Sequence, residues 1–302
     1  MKVIILGICQ LVACYQYLQK IESFRSRYND VSCYTIFTLT ASEMARIIKE
    51  EVPHADLVLS QPVSAKYQNN PIFSSETLRA AIKPGALHLI VANCYFTGYD
   101  PLPFQTTDKQ GSIVSYQGIS YFSALSLPSL LEGNILESCR RWCDPQAFTK
   151  KQLENNLSAT LQELQDRENQ VFEFPFGVDI KISDFIRNNF RDTFLFHTYN
   201  HPTNVLLEEI VKRICHRLQI PIKPGELLQE KELLGDVSLP PAPAVYRQLN
   251  LTFDYPHFIA FGKSYQTKDW MAYTSSLVLN ENSEIKEHWL ATLAYKKQLL
   301  PK

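Results

Sequence analysis

The sequence predicts an α/β fold in which a mainly parallel sheet is flanked by helices. Short continuous apolar runs alternate with amphipathic stretches over the first hundred residues. The connections between them are short, and capping signals stand where the period changes.

Each element follows from local chemistry. "KVIILG" (2–7) is apolar without alternation, as for a strand covered on both faces. Residues 10–26 form a helical pattern with Leu11, Cys14, Leu18 and Ile21 on one stripe. "CYTIFTL" (33–39) is β-branched and aromatic, a second strand. Thr40 or Ser42 caps the next helix, with Glu43 in its first turn. "ADLVLS" (55–60) is a third strand, "SSETLRAAIKPG" a capped helix stopped by Pro84-Gly85, and "ALHLIVAN" (86–93) a fourth strand.

The middle of the chain reads as more helical. Residues 121–143 and 147–170 carry helical patterns, the second so polar that it suggests an exposed flap or arm. Residues 178–192 suggest a helix capped near Ser183, and 193–200 a strand-like run. Residues 201–218 suggest a long amphipathic helix with Pro202 in its first turn. "LPPAPA" (239–244) reads as a linker or strap, and 245–302 shows one clear helix near 283–296. The expected organisation is an α/β catalytic-type domain over 1–220 with a helical insertion at about 121–175. A C-terminal extension over 221–302 packs on that core.

Thirty basic residues against 31 acidic ones give no pull toward nucleic acid. No stretch reaches the ~18 apolar residues of a spanning helix. Cysteines stand at 9, 14, 33, 94, 139, 143 and 215, an odd set without paired C-x-x-C spacing, which suits reduced thiols in the cytoplasm. Cys139 and Cys143 lie one helical turn apart with no second pair at zinc-site spacing, so no metal is expected. "LVAC", ending at Cys14, resembles a lipoprotein cleavage box. Gln10 interrupts its apolar region, however, and the helical stripe continues beyond it, so Cys14 reads as a helix core residue.

Cys9 stands between the first strand and the first helix, where backbone N–H groups favour a thiolate or a bound anion. Taken alone, it reads more readily as a small buried hydrophobe, as most free cysteines are. His201 follows another apolar run and should also reach the carboxyl edge of the sheet, as a base for a thiol. His197, four residues earlier, reads as structural, and Asn204 as an orienting or capping residue. Gln10, Gln61 and Asn93 place amides at predicted strand ends, suited to an oxyanion or to sugar hydroxyls. "NCYFTGYDPLPF" (93–104) adds Tyr95 and Tyr99 around Gly98, with Phe96 and Phe104 as packing residues. The signatures of dinucleotide, P-loop and zinc-protease chemistry are missing.

"LGICQ" (6–10), "SQPV" (60–63), "TLRAAIKPG" (77–85), "NCYFTGYDP" (93–101), "VDIKISDFI" (178–186) and "FHTYNHPTNVLLEEI" (196–210) occur in this order. Together they resemble the WcbI-type polysaccharide biosynthesis family of bacterial capsule and surface glycan clusters, over roughly residues 1–220. The resemblance implies a Rossmann-like or SGNH-like three-layer core. It also implies coenzyme A binding and transfer of an acetyl group from acetyl-CoA to a sugar hydroxyl. The family's motifs map onto Gly7, Cys9 and Gln10, then Gln61, then Asn93, Tyr95, Phe96, Gly98 and Tyr99, then His201, Pro202 and Asn204. On this reading Cys9 is the nucleophile, His201 the base, and the Asn93 amide a donor to the oxyanion. Lys66, Arg79 and Lys83 are candidate phosphate partners. The implied partners are a small acyl donor and a glycan acceptor, with no nucleic acid.

Two departures stand out. Ile8 replaces the asparagine that usually precedes the cysteine, and Thr198 stands where a hydrolase-type aspartate would precede His201. A glycan deacetylase or esterase, and a non-catalytic coenzyme A- or glycan-binding relative, are the alternative functions.

Overall fold

The computed structural model describes residues 1–169 and 177–299, and the end of the expected insertion (170–175) lies outside them. The chain divides into two compact units. One comprises Met1–Cys94, Glu163–Arg187 and Asn204–Leu234; the other comprises Tyr95–Gln162, Asn188–Thr203 and Gly235–Lys302.

The first unit has the predicted α/β character. Strands β1 (Lys2–Gly7), β2 (Asp30–Thr35), β3 (Leu57–Ser60) and β4 (Leu87–Ile90) form a parallel sheet in the order β2-β1-β3-β4. Val3, Ile4, Ile5 and Leu6 are all buried, because β1 is central and covered on both faces. Beyond β4, Val91 pairs in parallel with Ile180, which supplies a fifth position. The order reverses between β1 and β3, so the carboxyl ends of these two strands border the crevice where α/β sheets take their ligands.

Helix α1 (Cys9–Leu18) buries Leu11, Ala13, Cys14, Tyr17 and Leu18. Cys14 is thus a core residue of this helix. The predicted helix over 10–26 is two helices, α1 and α2 (Glu22–Arg27), separated by a turn that buries Ile21. Helix α3 (Ala41–Arg46) carries the expected capping box between Thr40 and Glu43. Helix α4 (Ser75–Ala81) is capped by Ser74, whose hydroxyl accepts the Thr77 N–H. Between β1 and these two helices lies an apolar cluster of Ile4, Leu6, Ile36, Met44, Ile47, Val58 and others, against which Ile8 packs.

The second unit departs further from expectation. Residues 121–143 are not one helix: Tyr121–Ser123 is strand β6, paired antiparallel with β5 (Pro103–Gln105). Helices at Leu127–Leu131 and Ile135–Cys143 follow, parted at Gly133-Asn134, where Asn134 caps the second. The helix Lys150–Glu168 is not a free arm, because its stripe of Leu153, Leu157, Leu161 and Leu164 is buried. The strand-like run shrinks to β7 (Phe196–Thr198), and His201–Pro202 form β8 against it. Pro202 therefore lies outside the following helix, which begins at Asn204 and runs to Arg217. Val237–Ser238 (β9), Phe258–Ala260 (β10) and Lys263–Tyr265 (β11) make a three-stranded antiparallel sheet. In the final stretch Trp270, Met271 and Trp289 are fully enclosed.

Candidate functional site

Gly7, Ile8 and Cys9 make the turn from β1 into α1, and close packing fixes it. A Cβ at Gly7 would stand 2.7 Å from Gln61 Oε1 and 2.8 Å from Leu11 Cβ, so only glycine fits. The Ile8 N–H donates to Gln61 Oε1 at 2.9 Å. Cys9 then opens the helix with its thiol half-buried. Burial pushes this thiol up, outweighing the N–H groups of Gln10 and Cys9 that draw it down. Cys9 therefore rests as a neutral thiol, one that needs a base before it attacks.

The three amides expected to face a ligand are largely committed to the fold. Gln10 Nε2 donates to the Cys94 carbonyl at 2.7 Å, and its Oε1 accepts the Cys94 N–H at 2.9 Å. Gln61 Nε2 points to Gln10 Oε1 at 3.3 Å and to the Ala92 carbonyl at 3.4 Å. Asn93 Nδ2 donates to the Pro62 carbonyl at 3.1 Å, while its Oδ1 is buried without a partner. Gln10 and Gln61 thus brace the turn that presents Cys9.

Other singled-out residues of this unit have structural partners. Asn204 Nδ2 donates to the Lys231 carbonyl at 2.8 Å and its Oδ1 accepts the Leu233 N–H at 3.1 Å, tying down a loop. Lys83 pairs with Asp56 at 2.8 Å. Lys66 and Arg79 are exposed. Two further groups, buried Glu168 and half-buried His88, carried no sequence signal. Glu168 accepts the Ile182 and Ser183 N–H groups, capping the helix Ser183–Asn189. His88 Nε2 lies 2.8 Å from Ser60 Oγ, and burial brings its pKa down to about 4.

His201 belongs to the second unit, in β8 rather than at an end of the parallel sheet. Its Nε2 lies 3.5 Å from the Tyr121 hydroxyl, at the long limit of a hydrogen bond, and its Nδ1 is buried without a partner. Burial, with some help from His197, brings the His201 pKa down to about 4, so the imidazole is neutral near pH 7. Around it stands an aromatic group. Tyr121 meets the His201 ring edge-on at 5.3 Å, Tyr199 meets Tyr121 at 6.0 Å, and Tyr95 stacks on Tyr199 at 6.3 Å. The Tyr199 hydroxyl donates to Gln105 Oε1 at 3.2 Å.

Tyr99 does not join this group as a stacking surface. It is buried, and its hydroxyl donates to the Phe190 carbonyl at 2.6 Å and the Thr193 carbonyl at 3.0 Å. Gly98 lets Phe96 pack, since a Cβ there would stand 2.2 Å from the Phe96 ring. His197 is structural, its Nδ1 3.1 Å from Ser238 Oγ. Thr198, at the hydrolase-aspartate position, donates its hydroxyl to Asn200 Oδ1 at 3.0 Å.

Sequence reasoning passed over Asp100, Tyr121 and Tyr199. Together with His197 and Thr198 these line a cavity of about 20 Å³, room for one water. Burial raises the Asp100 carboxyl to about 6. The available signal was a carboxylate beside proline within an aromatic stretch, "GYDP". Among the described residues, no three His, Cys, Asp or Glu side chains group so as to hold a metal ion. Nor is any described helix long and apolar enough to cross a membrane.

Comparison with known proteins adds two findings. The family model of the polysaccharide biosynthesis enzyme WcbI matches residues 2–223. A solved structure of WcbI, described as a novel polysaccharide biosynthesis enzyme, superposes with a TM-score of 0.79 at 21% identity, covering 98% of this chain and 96% of that one. That structure is described as native protein without a disulfide bond between coenzyme A and one of its cysteines. No curated protein sequence matches the chain.

Proposed function

The chain belongs to the WcbI family of polysaccharide biosynthesis enzymes, and we propose that it is an acetyl-CoA-dependent O-acyltransferase modifying a sugar unit of a bacterial capsular or surface polysaccharide. The observation that carries this reading is the placement of Cys9. It opens α1 at the carboxyl edge of β1, beside the reversal of strand order, on a turn that Gly7, Gln10 and Gln61 hold. The description of the structural neighbour in terms of a coenzyme A–cysteine disulfide supports coenzyme A as the acyl carrier.

In the proposed reaction the Cys9 thiol surrenders its proton to a base as the sulfur attacks the thioester carbonyl carbon. The bond from that carbon to the coenzyme A sulfur breaks, and coenzyme A leaves as a thiol after taking up a proton. An acceptor hydroxyl then loses its proton to the base while its oxygen attacks the acyl carbon, and Cys9 departs as the new leaving group. The N–H groups of Cys9 and Gln10 oppose the charge developing at this turn. His201 is assigned as the base, because a neutral imidazole with an unpartnered nitrogen is in the form that accepts a proton. The donor and the glycan acceptor are the expected partners, and the cytoplasm, where acetyl-CoA is available, is the proposed location.

Acetyl transfer from labelled acetyl-CoA to a glycan tests this reading. Cys9→Ser and His201→Ala should each lower the rate by about 10²-fold or more. Undiminished transfer in both variants would sink the mechanism. One observation favours a second reading, a non-catalytic coenzyme A-binding relative: Ile8 packs into the apolar cluster, where the family places an amide. Robust transfer by the native chain excludes it, as it excludes a glycan deacetylase that has no need of coenzyme A.

A further inference from the structure

Asn93 follows the end of β4, and its orientation is determined chemically. Its neighbour, the Pro62 carbonyl at 3.1 Å, can only accept a hydrogen bond, so the atom facing it must be Nδ2. Oδ1 therefore points elsewhere, and it is buried with no partner. Among the described residues it is the one such side-chain atom at the carboxyl edge of the parallel sheet. The nearby amides of Gln10 and Gln61 are committed to Cys94, Ile8 and Ala92. The residue as a whole is only half-buried. Native structures seldom leave a buried acceptor unpaired, and one that is calls for an explanation.

We infer that Asn93 Oδ1 is a recognition acceptor, taking a hydrogen bond from a neutral N–H or O–H of the bound substrate. This differs from the role expected from sequence: the Pro62 carbonyl takes one N–H of Nδ2, and Oδ1, the atom left without a partner, is an acceptor that would repel an oxyanion. The inference rests on the acyltransferase reading for the sources of that donor. One is an amide N–H of the pantetheine arm of coenzyme A; the other is a hydroxyl of the acceptor sugar. Both present the same chemistry to the oxygen.

The experiment compares wild type, Asn93→Leu and Asn93→Asp, the aspartate keeping an acceptor oxygen. Calorimetry with coenzyme A, pantetheine and 3′,5′-ADP forms one arm. Acetyl-transfer kinetics and binding with methyl glycosides of glucose, galactose and mannose form the other. If pantetheine supplies the donor, Asn93→Leu weakens coenzyme A and pantetheine about tenfold, leaves 3′,5′-ADP unchanged, and Asn93→Asp restores much of the loss. If the sugar supplies it, coenzyme A binding holds while the glycoside KM or Kd rises about tenfold at unchanged kcat. Should Asn93→Leu unfold the chain, Asn93→Asp decides through the same titrations: coenzyme A or glycoside affinity within threefold of wild type supports the acceptor role, and a tenfold loss overturns it. A folded Asn93→Leu that binds coenzyme A and glycosides as wild type does also overturns the inference. Wild type that binds no coenzyme A defeats the acyltransferase reading instead, and the glycoside arm still decides the role of Asn93.

Discussion

The side chain of Gln10 grips the backbone of Cys94 from both sides, donating to its carbonyl at 2.7 Å and accepting its N–H at 2.9 Å. An amide so used imitates a strand neighbour. It fastens the first turn of α1 to the chain leaving β4 and so fixes where Cys9 stands. Gln10→Leu should leave a buried N–H and a buried C=O of Cys94 unpaired and cost about 2–4 kcal/mol. Urea unfolding checks this, and a change below about 1 kcal/mol would contradict the clasp.

Gly7→Ala should destabilise the first unit by about 1–3 kcal/mol, the ordinary cost of overpacking. The new methyl displaces Gln61 Oε1, with which it would collide at 2.7 Å, and thereby frees the Ile8 N–H. Paired with Gln61→Ala, the substitution should cost less than the sum of the two, because both break the same contact. Strict additivity in the double-mutant cycle would refute that account.

Acid should weaken the fold between about pH 6.5 and pH 4. Burial holds His201 and His88 at about 4 against the usual 6.5. Across that window the unfolded chain binds protons that the folded chain refuses, so stability falls with pH by up to about 1.4 kcal/mol per unit for each imidazole. The part due to His88 is smaller because it is less enclosed. His201→Gln should therefore lose less stability than wild type between pH 7.5 and pH 4.5. Equal losses would mean that His201 titrates normally.

Asp100 works in the opposite direction. Its carboxyl is raised to about 6, so from pH 3.8 to 6 the folded chain keeps a proton that the unfolded chain has released, and stability drains away as pH rises. Asp100→Asn retains an oxygen for the Leu102 N–H, which Asp100 accepts at 3.2 Å. The variant should raise the urea midpoint at pH 7.5 and leave it almost unchanged at pH 4. A lowered midpoint at pH 7.5 would show that the charged carboxylate is favoured after all.

Thiol labelling should sort the cysteines by environment. Cys143 is exposed and should react first, while Cys14, Cys94 and Cys215 are buried and should wait for unfolding. Cys9, half-buried with its thiol pushed up, should react at least about tenfold more slowly than Cys143 at pH 7 and gain speed as pH rises. Peptide mapping after brief maleimide exposure gives the order. A Cys9 as fast as Cys143 at pH 7 would indicate a thiol activated at rest.

The parallel sheet was legible because its strands are continuous apolar runs and its helices carry caps such as Thr40 with Glu43, all of them local signals. The Cys9 turn was legible for the same reason. The misread parts depend on distant partners. Three-residue β6 and two-residue β8 are too short to show a period, and "HPTN" looks like a helix start until Pro202 is seen to pair with Phe196. Gln10 and Gln61 were seen as site amides, yet the direction an amide faces depends on residues such as Cys94, 84 positions away. Asp100 was passed over because a single carboxylate becomes unusual only once remote aromatic residues enclose it.

The pairing of Val91 with Ile180 bears on how the chain is made. Strands β1 to β4 leave the ribosome early, but the segment that covers β4 and the helix Asn204–Arg217 come from far later in the sequence. Until they arrive, β4 is an open edge of apolar chain, a template for pairing with another nascent molecule. Contacts so distant in sequence also close slowly. Slow synthesis at low temperature should therefore raise the yield of properly assembled protein more than any stabilising change in the finished core.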